Sequence, residues 1–360
     1  MKYMKTRLTT LLPVALCLIL SSCGADGLKT IDIARGLRTE ADTLGLEALA
    51  GDVRAIELKC DSLYDIRIFG AHDGRLYGRS ADNVIAVMDE SGNMLCSFGR
   101  TGRGPGEYVS IASIEYDPFN DEIVVLDAWN KVLRFSPDGT LIDETRNNTI
   151  STLAYIMPLD KDIYVATVTS YIQRDSCLLY LDRDFNVTGH ALPIFNQAQL
   201  SAKGLIITEG LSRYNSTVMY RPYAEDTYYA YSDGSWTPYM RIEQGSLRMS
   251  PELMVSVDGY QEQAKYIFIQ WEFICGRYCL INYVREEDMA ANYDVYDMNT
   301  GKLLIHNVLT IDDIDSGLDG FIFRYGGEKH YIIPGFIDGN VMYCSLPQDD
   351  GGTTLLRITL

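Results

Sequence analysis

The stretch RFSPDGTLI, Arg134–Ile142, sets a turn glycine, Gly139, between two short apolar runs, and the arrangement recurs along the chain. VMDESGNML (Val87–Leu95) has Gly92 in that place, YLDRDFNVT (Tyr180–Thr188) has Asn186, and AYSDGSWTP (Ala230–Pro238) has Gly234. VYDMNTGKLL (Val295–Leu304) has Gly301 and LPQDDGGTTLL (Leu346–Leu356) has Gly351. The intervals are 47, 47, 48, 67 and 50 residues. Asp, Asn and Gly supply the positive φ angles that tight hairpins need. The first two units also match ahead of the turn, where Leu76-Tyr77 and Ile123-Val124 stand 47 residues apart.

Between these turns run short segments rich in Val, Ile, Tyr and Thr, with little helical periodicity. A repeat of about 40–50 residues with four short strands per unit is the pattern of propeller blades. The fold class expected is therefore all-β, a six-bladed β-propeller. The 67-residue interval should hold an insertion within Glu243–Tyr266, with a short helix around Pro251 to Val257. The chain ends in TTLLRITL (Thr353–Leu360), an alternating strand with no crossing after it. VRAIELKC (Val53–Cys60) is a strand without a blade of its own. Pairing the two would cover an open sheet edge and close the ring with an N-terminal strand.

Residues 1–22 read as a lipoprotein signal peptide. Lys2, Lys5 and Arg7 form a basic start, Leu8–Leu20 is apolar, and Leu20-Ser21-Ser22-Cys23 resembles the lipobox in which Cys23 is acylated. Ser22 stands where that pattern prefers Gly or Ala. Residues 23–52 are then a lipid-anchored tether and lead-in, and residues 53–360 the propeller. The expected location is the cell envelope, as an outer-membrane lipoprotein facing periplasm or surface, with the membrane a partner through the lipid anchor. Without the leader, 28 basic and 49 acidic residues remain, a net charge of −21. So acidic a surface argues against nucleic acid as a partner. Six cysteines lie beyond the signal: Cys60, Cys96, Cys177, Cys275, Cys279 and Cys344. They are too scattered for a small disulfide framework. If CGRYC lay on one strand, Cys275 and Cys279 would stand about 13 Å apart, beyond disulfide reach. Buried free thiols are expected.

GRTGRGPGEY, Gly99–Tyr108, is dense in glycine but lacks the Gly-Lys-Ser/Thr ending of a phosphate loop. It leads into a strand, VSIASIEYDP, and not into the helix of a dinucleotide fold. It is expected to reverse the chain from the outer strand of one blade to the inner strand of the next. Such loops also carry binding residues. Arg100, Arg103, Glu107 and Tyr108 are therefore candidate ligand contacts.

GRTGRGPGEY followed by IVVLDAWNKVLRFSPDGTLI resembles the six-bladed β-propeller lipoproteins of Bacteroidota, relatives of NHL-repeat and TolB-like propellers. Gly102, Gly104, Pro105, Gly106, Glu107 and Tyr108 match the family's loop as they stand. Met219–Gly245 is similar to its Asp-Thr-Tyr-Tyr and Pro-Tyr segment, here Asp226, Thr227, Tyr228, Tyr229, Pro238 and Tyr239. The N-terminal TIDIARGL and AIEL also resemble that family's first strands. Cys60 departs from it, since a threonine-like polar residue usually follows the first strand there. The resemblance implies a cell-envelope propeller that binds something.

Chemistry is sparse in the sequence. His72, His190, His306 and His330 form no metal-binding pair and fall near expected turns or strand ends, so each is expected to be solvated. Asp312, Asp313, Asp315 and Asp319 lack the spacing of a calcium loop, so calcium is conceivable there but unsupported, and no cofactor is expected. Eight aromatic residues lie between Tyr214 and Tyr239, most of them expected to pack between blades. Arg221, Tyr223, Asp226 and Trp236 are candidate ligand contacts among and beside them. Two functions follow. One is a non-catalytic propeller that binds a glycan, peptide or envelope protein. The alternative is a metal-dependent, lactonase-like hydrolase or lyase with a site in the central channel. The inner strands read as IASIEY, LAYIMP and IFIQWEF offer Glu115 and Glu272 as polar groups, which favours binding.

Overall fold

The computed structural model describes residues 27–41, 43–60, 63–129, 131–168, 176–193, 211–214, 217–222, 225–250, 253, 259–348 and 352–360. Two strands come first, β1 (Lys29–Asp32) and β2 (Asp52–Leu58). Blade one is β3 (Arg67–His72), β4 (Arg75–Arg79), β5 (Ile85–Asp89) and β6 (Met94–Phe98). Blade two is β7 (Ile111–Asp117), β8 (Glu122–Asp127), β9 (Lys131–Phe135) and β10 (Leu141–Thr145). Blade three is β11 (Leu153–Asp160), β12 (Ile163–Val168), β13 (Ser176–Leu181) and β14 (Val187–Pro193). Blade four is β15 (Leu211–Tyr214), β16 (Thr217–Tyr220), β17 (Thr227–Ser232) and β18 (Ser235–Glu243). Blade five is β19 (Phe268–Cys275), β20 (Tyr278–Arg285), β21 (Ala290–Asp297) and β22 (Lys302–Thr310). A separate hairpin, β23 (Phe321–Tyr325) and β24 (Glu328–Ile332), precedes blade six, which is β25 (Phe336–Asp338), β26 (Val341–Pro347), β27 (Thr353–Thr359) and β2.

The ring closes as expected. Strand β2 lies antiparallel on β27, in register from Asp52↔Thr359 to Leu58↔Thr353. Six apolar clusters fill the six seams between blades. The closing seam holds Ile56 and Leu58 of β2, Leu355 of β27, and Ile68, Leu76, Ala86 and Met88 of blade one. Burying a side chain of that size contributes about 1.5–3 kcal/mol, so a seam of this kind offsets much of the chain entropy lost on ordering it.

The repeated turns share one backbone pattern in blades one to three, the first residue's N–H donating to the carbonyl four residues on. In blades one and three an Asp side chain reinforces it, with two differences from the sequence reading. In blade one the Asp89 carboxylate accepts from the backbone of Ser91 (2.8 Å) and Asn93 (3.0 Å), while Gly92 takes φ +81°. In blade three Asp182 accepts from Asp184 and Asn186, both at 2.9 Å, but the left-handed residue is Phe185 (φ +59°), not Asn186. Asn186 instead repeats the role of Asn93. A bulky side chain pays strain in that region, and complete burial against Tyr164 and beneath the Arg134 guanidinium holds Phe185 there. The sixth turn, whose Gly351 lies outside the described residues, joins the second and third strands of its blade. The other five join the third and fourth. The extra β23–β24 hairpin occupies the difference.

The N-terminal segment is built into the ring from Lys29 on. Strand β1 adds a fifth strand to blade four, parallel to β18 from Lys29↔Met240 to Asp32↔Glu243. A helical turn, Ile33–Arg38, then crosses to blade five. There Tyr283 (3.0 Å) and Tyr296 (2.8 Å) donate to one oxygen of Asp294, and His306 Nδ1 lies 2.6 Å from the other. His306 is thus a buried residue in the middle of β22, which corrects the expectation of a solvated histidine. Although β22 is the outermost strand of its blade, His306 is buried there, and only a polar partner such as Asp294 makes such burial tolerable. Cys275 and Cys279 lie on opposite arms of the β19–β20 hairpin, with Cys275 opposite Tyr278 and Cys279 opposite Ile274, and not on one strand. Neither forms a disulfide, nor do Cys60, Cys96 and Cys344, while Cys177 lies outside the described side chains. Burial pushes the Cys275 thiol up to about 12. Of the expected helix around Pro251 to Val257 only Leu253 is described, and it is helical; a short helix follows at Tyr260–Gln263.

Candidate functional site

Strands β3, β7, β11, β15, β19 and β25 are the innermost of their blades. Together they line a cavity of about 760 Å³. That volume lies within the range of small-molecule sites, roughly 300–1,000 Å³. Its wall mixes rings (Phe69, Tyr116, Tyr155, Tyr214, Phe336) with a few charged groups.

The charged groups fall into two sets. On one side Glu272 of β19 is clamped by Arg221, Nε to Oε1 at 3.0 Å and Nη2 to Oε2 at 3.3 Å. This is a two-point guanidinium–carboxylate pair, which fixes both side chains. On the other side Glu115 of β7 accepts a hydrogen bond from the Tyr155 hydroxyl of β11. Burial pushes the Glu115 carboxyl up to about 7, against the opposing pull of Tyr155 and Arg213. Glu115 can therefore hold a proton near neutrality and donate it in a hydrogen bond. Arg213 of β15 donates to the Pro158 carbonyl. Burial lowers its pKa, opposed by the charges of Glu115 and Asp117. Among the described residues no carboxylate forms an ion pair with it. Arg79 is similar: its Nε donates to Asn83 Oδ1 at 2.9 Å, and burial lowers its pKa.

The tyrosine hydroxyls are committed elsewhere, which turns their rings into walls. Tyr214 donates to the Gly276 carbonyl at 2.6 Å and Tyr116 to Asp121 at 2.8 Å. Tyr116 stacks on Tyr77 with centroids 4.5 Å apart, and His72 lies 5.2 Å from it. Among the described residues no group of three His, Cys, Asp or Glu is placed to hold a metal ion. The aspartate segment forms a short helix, Ile311–Asp315, in which Thr310 and Asp313 make a capping box. Asp319 accepts from Tyr293.

The residues singled out in the sequence lie mostly away from this cavity. The glycine loop joins β6 to β7, the reversal expected of it. Its glutamate is folded inward: Glu107 Oε2 accepts from the Gly104 amide at 2.9 Å, and Glu107 Oε1 lies 3.8 Å from the exposed Arg100. Tyr108 is wholly buried in the seam of blades one and two and donates to the Asn83 carbonyl, which makes it a core residue and not a ligand contact. Arg103 lies on the surface ring of Trp129, 4.8 Å from its centroid. Asp226 pairs with Arg248 at 3.3 Å, and burial raises its pKa. Trp236 packs with Tyr231 and Tyr220 near the seam of blades three and four. Tyr223 and Cys23 lie outside the described residues. Arg221 alone of the set reaches the cavity wall, through Glu272. Of the cavity's groups, Glu115 and Glu272 were visible on inner strands in the sequence. Arg213, Tyr155 and Arg79 were not. Arg213 sits on a four-residue strand, too short to show alternation.

Six blades, one of them extended to five strands by β1, around an axial cavity define a six-bladed β-propeller. The chain belongs to the family described as Domain of unknown function (DUF4934), which it matches over residues 28–340. A protein from Bacteroides fragilis NCTC 9343, described as "Putative exported protein", has a similar solved structure. The TM-score is 0.66 at 15% identity, over 92% of this chain and 99% of that one. BamB from Moraxella catarrhalis is a second likeness, with a TM-score of 0.44 at 10% identity over 86% of this chain and 99% of that one. No curated protein matches the chain in sequence.

Proposed function

We propose that this chain is a cell-envelope lipoprotein, acylated at Cys23, whose propeller is a non-catalytic module that binds a glycan, a peptide segment or an envelope protein through its axial cavity. The observation that carries the reading is the cavity itself, lined from all six blades by aromatic walls and a few convergent charged groups. The basic and apolar start of the chain and the LSSC motif support export and anchoring. The Bacteroides fragilis relative, described as exported, agrees with that location. An acyl anchor would hold the molecule at a membrane without a spanning segment. Among the described residues no helix is long and apolar enough to cross one.

Two measurements test this. Metabolic labelling with a fatty acid should tag the wild type and leave Cys23→Ala unlabelled; equal labelling of both contradicts the anchor. A glycan and peptide screen on the full-length protein in detergent should return ligands whose binding weakens when cavity side chains are cut back. Ligands indifferent to every cavity substitution would contradict the site.

A further inference from the structure

The cavity contains an electrostatic imbalance. Glu272 and Arg221 neutralise each other. Arg213 has no such partner among the described residues. Its one hydrogen bond there goes to the Pro158 carbonyl, and a guanidinium carries five N–H donors and does not give up its charge. Arg213 is half-buried on the cavity wall, and a charge partly withdrawn from water without a partner carries a cost. The carboxyl that acts on it, Glu115, is protonated over much of the range up to about 7 because burial raises it, and then compensates nothing. Arg79, also on the wall, donates to Asn83 alone among the described residues. The cavity thus presents unmatched cationic donors beside a carboxylic acid, inside a chain that is acidic overall.

We propose that the cavity binds a small organic carboxylate, which accepts a two-point hydrogen bond from Arg213 and a further one from the Glu115 carboxyl on the same wall. Its body lies against the rings of Tyr116, Tyr214 and Phe336. The inference rests on reading the cavity as a ligand site and adds the ligand's chemical class. Two donors on one carboxylate are the geometry for which a guanidinium is suited. Binding the anion takes up one proton wherever Glu115 is ionised in the free protein. The groups that set this titration are Tyr155 from β11 and Arg213 from β15, with Asp117 acting on Arg213. Elsewhere on the wall stand His72 and Arg79 of blade one, Glu272 with Arg221 behind it, and Asp338 of β25.

The test follows the ring signals of labelled tyrosines in the full-length protein in detergent. The probes are D-glucuronate and phenylacetate, each beside its methyl ester. At pH 6 at least one carboxylate should shift Tyr155 and Tyr214 while its ester does not, and the responding acid tells whether the body is a sugar or an aromatic ring. Above pH 7 the affinity should fall about tenfold per pH unit in the wild type. It should stay flat in Glu115→Gln, whose amide still donates but does not titrate. Arg213→Gln should abolish binding, and Arg213→Lys, which keeps the charge without the fork, should weaken it about tenfold. Melting curves establish that each variant is folded. Esters that shift the rings as strongly as the acids, or a folded Arg213→Gln that binds undiminished, overturn the carboxylate and leave the cavity a site of another kind. No shift from any of the four probes at up to about 10 mM also overturns it. If the screened neutral glycans and peptides leave the rings unmoved too, the reading of the cavity falls with it.

Discussion

At the scale of single residues, the glycine loop shows why composition alone misleads. Its glycines are spent on geometry. Gly99 (φ +90°) has no room for a Cβ, which would fall 2.1 Å from the Tyr108 hydroxyl. Gly106 (φ +73°) donates to Glu144 Oε2 at 3.0 Å, and the buried Lys131 reaches the same oxygen at 3.3 Å. Gly104 has no positive φ, and its added Cβ would meet the far end of the Glu107 side chain at 3.0 Å. Thermal melts should therefore rank the alanine variants. Gly99→Ala should be worst, since strain of about 1–2 kcal/mol adds to the displacement of a core tyrosine. Gly106→Ala should cost about 1 kcal/mol or more from strain alone. Gly104→Ala should cost less than either. Arg103→Ala loses an exposed cation–ring contact and should cost no more than about 1 kcal/mol. A Gly99→Ala melt that coincides with wild type would contradict this account of the loop.

At the scale of elements, the ring depends on one non-local pairing. Strand β2 precedes blade one in sequence but completes blade six, so the seam between first and last blades closes only when the two ends meet. Leu355 is fully buried in that seam. Leu355→Ala should destabilise the protein by about 2–5 kcal/mol, the loss expected for a large core side chain that leaves a cavity. Leu95→Ala, on an exposed stretch of β6, should change stability by no more than about 0.5 kcal/mol. Denaturant unfolding of the two variants measures the difference, and equal midpoints would mean that the seam does not hold the ring. The same non-locality explains what the sequence showed of the elements. Hairpin turns are local and carry their own residue signals, so five third-to-fourth-strand turns and the closing strand pair were legible. Phe185 was not, because only its tertiary burial holds it in a left-handed conformation. Nor was the parallel docking of β1 on β18, since Lys29–Asp32 is too short to announce a partner about two hundred residues away.

At the scale of the whole molecule, a propeller gathers one strand from each blade around its axis, so its site is assembled from residues far apart in sequence. Glu115, Tyr155, Arg213 and Glu272 belong to four blades and share no motif. The glycine loop, by contrast, is one contiguous stretch, and Arg100, Arg103 and Glu107 stand together within it. The structure places those residues at a connection between blades and the cavity elsewhere. The most direct test of that division is a paired titration, with the same screened or carboxylate ligand, of Arg213→Gln and Arg103→Ala in the full-length protein. The account predicts that Arg213→Gln loses binding while Arg103→Ala keeps wild-type affinity. Binding lost in Arg103→Ala and kept in a folded Arg213→Gln would move the site from the axis to the glycine loop and contradict it.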